Sequence, residues 1–280
     1  ETLLDHEIVT NGEHPAMDAY CFANLFKGCT ALINAPTLWA TKLFDSCYYN
    51  MFNSCTGLTE APALTAIMLA TNCYNGMFCG CTGLAQAPEL PATTLATACY
   101  GYMFYNCTGL TEAPALPATT LADRCYDYMF RGCTGLTQAP ELPATNLSNY
   151  CYYNLFNRCT GLTEPPALPA TMLAEKCYDG MFSFCTGLTN VPALPATTLA
   201  PYCYSYMFQG CTELRRLPVL PATNLANSCY QYMFNNCTGI DLNTAPPGTP
   251  WSIPADAVEA TNWNTNMFAG TGGSFKGSPK

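Results

Sequence analysis

Cysteine recurs in this chain every 26 residues, and it does so in two interleaved series. The first runs Cys21, Cys47, Cys73, Cys99, Cys125, Cys151, Cys177, Cys203 and Cys229. The second trails it by eight positions: Cys29, Cys55, Cys81, Cys107, Cys133, Cys159, Cys185, Cys211 and Cys237. Of the 19 cysteines only Cys79 stands outside both. A fixed period of this length is the mark of a solenoid, in which each unit buries its apolar face against the next copy of itself. The chain of 280 residues is therefore expected to form one elongated domain. With one strand spacing of about 4.8 Å per unit, nine or ten units would span on the order of 45–50 Å.

Numbered from the first cysteine, the unit reads C-Y-x-x-M-F-x-x-C-T-G-L-T-x-A-P-x-L-P-A-T-x-L-A-x-x. Position 6 is Phe in every unit, from Phe26 to Phe234, and again at Phe268 after a break in the period. Leu recurs at position 12, from Leu32 to Leu214, and at position 18, from Leu38 to Leu220. Such columns supply the core that no single unit could build alone. Gly at position 11, as in Gly57 and Gly83, falls where a helical turn carrying M-F-x-x-C would be capped. The following L-T-x-A suits a short strand that the proline at position 16 ends. The expected fold is a leucine-rich-repeat-like solenoid with short parallel strands on one side and helical or 3₁₀ turns on the other. It would comprise an N-terminal cap at 1–16, nine repeats over 17–240, an insertion with a capping half-repeat at 241–271, and a tail at 272–280.

Two arrangements of the cysteines are open. A continuous helix would hold positions 1 and 9 about 12 Å apart and leave both thiols free. A disulfide needs Cα atoms within about 7 Å and so requires the segment to bend. Gly and Asn at positions 3, 4, 7 and 8 are poor helix interiors, and both cysteines disappear together in the last half-repeat, where Trp263 and Thr271 stand instead. Intra-repeat bridges are accordingly expected: Cys21–Cys29, Cys47–Cys55, Cys73–Cys81, Cys99–Cys107, Cys125–Cys133, Cys151–Cys159, Cys177–Cys185, Cys203–Cys211 and Cys229–Cys237. Cys79 would be left as an outward-facing free thiol. A ladder of buried thiols is the alternative. Metal is not expected, because structural zinc prefers closely spaced C-x₂₋₄-C knuckles and the chain holds only His6 and His14.

The net charge of −9 argues against nucleic acid and against an anionic membrane surface. No apolar run approaches the ~18 residues of a membrane span. The cysteine count and a start at Glu1 rather than Met suggest an exported protein whose leader has been removed. Both histidines precede the array, so no unit carries a His base beside a nucleophile, and a regular ladder of glutamates gives each nearly the same environment. The chain is expected to be no enzyme and to need no cofactor.

The unit resembles the BspA-like leucine-rich repeat of bacterial surface proteins. The likeness lies in M-F-x-x-C-T-G-L-T followed by L-P, as in Met103, Phe104, Cys107, Thr108, Gly109, Leu110 and Thr111 with Leu116 and Pro117. It extends over residues 17–239, with a longer unit and a Cys where the family usually has an apolar residue. The resemblance implies export and adhesion to a host or partner protein.

Within the unit, function should sit where positions vary or project. Positions 14 and 17 give an acidic stripe of one Glu per turn: Glu60, Glu89, Glu112, Glu141 and Glu164. It would suit a basic partner, or simply keep a crowded array solvated. Irregular tyrosines at positions 3, 4 and 7 form a second candidate, Tyr49, Tyr102, Tyr105, Tyr128, Tyr153, Tyr206 and Tyr232, since Tyr presents a rigid face with one polar tip. The expected activity is that of a non-catalytic surface adhesin or recognition module for protein or glycan. The second reading is an accessory subunit of an outer-surface complex, such as a nutrient-uptake assembly.

Overall fold

The computed structural model describes residues 17–240 and 253–271. The expected cap at 1–16, the insertion at 241–252 and the tail at 272–280 lie outside the described residues. Each repeat forms one coil of a stack in which equivalent residues superpose, so the core is a set of columns. The position-6 rings from Phe26 to Phe268 stack with centroids 5.5–5.8 Å apart. A parallel column at position 2, from Phe22 to Tyr230, has spacings of 5.7–5.9 Å. Each stacked pair contributes about 0.5–1.5 kcal/mol beyond the burial of its area. Met at position 5 and Leu at positions 12 and 18 complete the buried interior.

The segment from position 26 to position 8 is not helical, and no helix occurs among the described residues. Its backbone instead turns every two residues. Odd-numbered N–H groups donate three residues back, as Cys47 does to Phe44 (3.2 Å), Tyr49 to Ser46 (3.1 Å) and Met51 to Tyr48 (3.1 Å). Even-numbered N–H groups donate to the next coil: Phe22 to Cys47 (2.8 Å), Asn24 to Tyr49 (2.8 Å), Phe26 to Met51 (2.9 Å) and Gly28 to Asn53 (2.7 Å). The pattern repeats up to the last coil, where Tyr230 donates to Trp263 and Phe234 to Met267. Every fourth residue, at positions 26, 4 and 8, has a positive φ, as in Ser46 (57°), Asn50 (52°) and Ser54 (62°). That places a left-handed residue third in alternate turns, the requirement of type II geometry, and it is incompatible with a continuing helix. The helical or 3₁₀ side expected from the sequence is thus replaced by a ladder of consecutive turns.

The opposite side carries isolated parallel bridges rather than full strands. They fall at position 14, as between Asn34 and Glu60 or Gln86 and Glu112, and at position 22, as between Thr94, Thr120, Asn146 and Met172. The prolines at positions 16 and 19 remove donors between these two lines, which keeps each contact to a single residue. Glycine at position 11 is not a left-handed cap. Close approach favours it: a Cβ on Gly83, Gly161 or Gly187 would lie 2.6–2.7 Å from the position-10 carbonyl oxygen of the preceding coil.

The nine expected bridges do not form, and all nineteen cysteines are free thiols. The turn ladder puts the two series in separate columns. Position-9 thiols donate to the position-6 carbonyl of the preceding coil, as Cys107 does to Phe78 (3.0 Å) and Cys159 to Phe130 (3.0 Å). Apart from Cys79, which acts on Cys81, Cys107 and Cys133, the thiols that perturb one another electrostatically belong to one column, Cys73 with Cys99 and Cys47, or Cys107 with Cys133 and Cys81. Burial pushes these thiols above their ordinary pKa, to about 12 for Cys81, Cys185 and Cys237. They behave as small apolar core residues with a weak donor. Cys79 is free and half-buried, beside Asn53.

Candidate functional site: a cleft in the tyrosine face

The turn ladder presents positions 26, 3, 4, 7 and 8 along one face of the stack. Position 4 is the informative column: Tyr102, Tyr128, Asn154, Gly180, Tyr206, Tyr232. All four tyrosines have φ of 54–55°, a conformation that Asn or Gly adopts more cheaply than a bulky residue. Their rings pair face to face, Tyr102 on Tyr128 at 4.6 Å and Tyr206 on Tyr232 at 4.8 Å. Tyr153, from position 3, meets Tyr128 edge-on at 5.1 Å, and Tyr105 leans on Tyr102 at 5.8 Å. Six of the seven tyrosines singled out in the sequence therefore belong to two aromatic clusters. Tyr49, two coils before Tyr102, stands apart from both.

Between the clusters the column is interrupted, and the interruption is a cleft of about 550 Å³. Tyr128 and Tyr153 wall one side and Tyr206 the other, with Gly180 between them. The floor is polar. Ser183, Asn157 and Asp179 are buried at 3%, 6% and 7% exposure, and Asn157 Oδ1 has no hydrogen-bond partner among the described residues. Burial raises the Asp179 carboxyl to about 7, against the opposing pull of Lys176. Asp127, two coils earlier, is likewise raised to about 7 by burial, although Arg124 lies 3.7 Å away. Around the rim stand Arg131, Arg158 and Lys176. Arg131 lies over Tyr128 at 5.4 Å, Arg158 over Phe184 at 4.9 Å, and Lys176 over Tyr202 at 5.0 Å. Among the described residues none of the three has a carboxylate within 4.0 Å; the ion pairs are Arg124–Asp127 and Arg215–Glu213.

Neither these cations nor Asp179, Gly180 or Phe184 stand out in the sequence. Their signal was the break in the position-4 column, which matters only once that column is known to point outward. The acidic stripe lies elsewhere: Glu60, Glu89, Glu112, Glu141 and Glu164 are exposed along the bridge-bearing side. Within it Glu164 accepts two hydrogen bonds from Asn190 Nδ2, at 2.9 and 3.0 Å. The structure thus keeps the two candidate surfaces on different sides of the stack. Among the described residues no three His, Cys, Asp or Glu side chains converge as a metal-ligand set. No helix among the described residues is long and apolar enough to cross a membrane.

The BspA type leucine rich repeat region matches in six copies, over residues 23–162, 97–241 and 149–269. The chain belongs to the BspA-type leucine-rich-repeat family. The match runs across the coils that carry both the tyrosine cleft and the acidic stripe. The crystal structure of a leucine-rich repeat protein from Bacteroides ovatus ATCC 8483 is similar at 16% identity, covering 78% of this chain and 74% of that one, with a TM-score of 0.26. No curated protein matches. The cleft lies at positions 26, 3, 4, 7 and 8, which vary from coil to coil within this BspA-type array.

Proposed function

We propose that this chain is an exported, non-catalytic binding module of a cell surface, an adhesin or recognition protein that contacts glycan or protein through its tyrosine face. The observation that carries this reading is the cost of that face. Bulky rings are held at positive φ where glycine would be easier, and cations are held over rings without carboxylate partners. Neither serves the core, which the inner columns complete. Residues kept in unfavourable conformations on a rigid scaffold are characteristic of binding sites. Ser183 Oγ, on the floor, donates to Gln209 Oε1 at 3.4 Å, and the role read for the cleft is recognition.

The exposed acidic stripe favours a second reading, an accessory subunit that docks its bridge-bearing side into a larger outer-surface assembly. A glycan array and a pull-down from the membrane fraction separate the two. Retention of glycans or of scattered surface proteins supports recognition. Recovery of one stoichiometric membrane complex, with no glycan retained, replaces it with the accessory role.

A further inference from the structure

We propose that the cleft floored by Asn157, Asp179 and Gly180 is a subsite for an acidic sugar, a glycan residue carrying a carboxylate or sulfate. The inference rests on the reading of this face as a recognition surface and names the ligand chemistry. On a chain of net charge −9, three cations gather at one recess with no carboxylate within 4.0 Å among the described residues; Lys176 acts on Asp179 from beyond that distance, and Arg131 and Arg158 lie over rings. Guanidinium groups held over rings keep their hydrogen-bonding edges free for a planar anion, and Arg presents them as a fork. The cleft volume of about 550 Å³ falls in the range of about 300–1,000 Å³ usual for small-ligand sites. Tyr153 and Tyr206 line the cleft from the coils before and after Gly180, and aromatic rings are surfaces on which the apolar face of a pyranose can pack. On the floor, Asn157 Oδ1 is a buried acceptor without a donor, which a sugar hydroxyl would satisfy.

A peptide fits less well. Extended peptides are recognised mainly by adding to a free backbone edge. On this face the amides are already consumed, half in turns and half in bonds to the next coil. A long polyanion is opposed by the charge of the whole chain, whereas a single acidic residue feels the local cations.

The test is direct binding of 3′-sialyllactose, a galacturonate oligomer, a sulfated disaccharide, neutral lactose and a poly-glutamate peptide to the intact chain, by titration calorimetry. Acidic sugars are expected to bind at least tenfold more tightly than lactose, and the carboxylated and sulfated arms identify the source of the anion. Arg158→Gln and Lys176→Gln should each weaken that binding about tenfold, equivalent to ~1.4 kcal/mol. Gly180→Tyr should abolish it without unfolding the chain, because Tyr already occupies this position at a similar positive φ in four other coils, and the atoms its Cβ would press on are the movable amide end of Asn154. Equal affinity for lactose, binding of poly-glutamate alone, or acidic-sugar binding unaffected by Gly180→Tyr would each overturn the proposal. If no sugar binds while surface proteins are still captured in the pull-down, the acidic-sugar subsite is wrong and the recognition reading stands.

Discussion

At the scale of single residues, the thiols and two carboxyls carry the sharpest expectations. A thiol reacts as its thiolate, so burial that raises its pKa makes it inert. Cys21 and Cys29 are exposed and Cys79 is half-buried, while the other sixteen are buried. Thiol titration of the folded chain without reductant should therefore count at most three reactive groups, and the denatured chain nineteen. A denatured count of one would restore the nine bridges. Asp127 and Asp179 give a pH dependence. Each has a folded pKa near 7, against an ordinary value of 3.8, with burial as the main cause. Arg124 and Tyr102 face Asp127; Lys176, Tyr153 and Tyr206 face Asp179. Between those two pKa values the folded state holds protons that the unfolded state has lost, so stability falls as pH rises from about 4 to about 7 and levels off above. The slope is up to about 1.4 kcal/mol per pH unit for each group. Thermal melts of Asp127→Asn and Asp179→Asn across this range should be flatter than wild type; an unchanged slope would place both carboxyls in water.

At the scale of the element, the turn ladder shows what was legible in the sequence and what was not. The columns were legible because a core residue repeats at every period: Phe at position 6 and Leu at positions 12 and 18 announced themselves. The backbone between them was not. Asn50, Gly76 and Gly80 carry an ordinary sign of left-handed conformation, but Tyr102, Arg124 and Lys176 take the same φ without it. The turn ladder is imposed by neighbouring coils, through hydrogen bonds from each even-numbered N–H, and a single repeat read alone cannot reveal it. The same blindness produced the expected disulfides, which joined cysteines near in sequence when the fold joins equivalents 26 residues apart. All turn-face bonds between coils run one way, with N–H pointing toward the later coil. Their peptide dipoles add, as in a helix, and help bind coil to coil. Coil spacing also crowds position 11 wherever it is glycine, although Glu213 occupies the equivalent place in the eighth coil. A Cβ on Gly135 would lie 2.8 Å from the Thr108 carbonyl oxygen and 3.0 Å from that of Leu110. Gly135→Ala should cost about 1–3 kcal/mol in chemical denaturation. No loss of stability would mean that the coils pack less closely than described.

At the scale of the whole molecule, a uniform interior leaves the exterior free to vary, and the two sides have diverged in character. The bridge-bearing side is acidic along Glu60, Glu89, Glu112, Glu141 and Glu164, whereas the turn face is aromatic with cations at its centre. Both were visible in the sequence as stripes, but not the cleft, because a cleft is a missing side chain in a column whose direction only the fold defines. The central claim is that recognition resides on the turn face. It is tested most directly by measuring glycan-array retention for two variants of the intact chain, Gly180→Tyr and the combined Glu→Gln replacement of the five stripe residues. Loss of retention with Gly180→Tyr and near-wild-type retention with the stripe variant is the predicted result. The reverse pattern would contradict the account and move the binding surface to the acidic side.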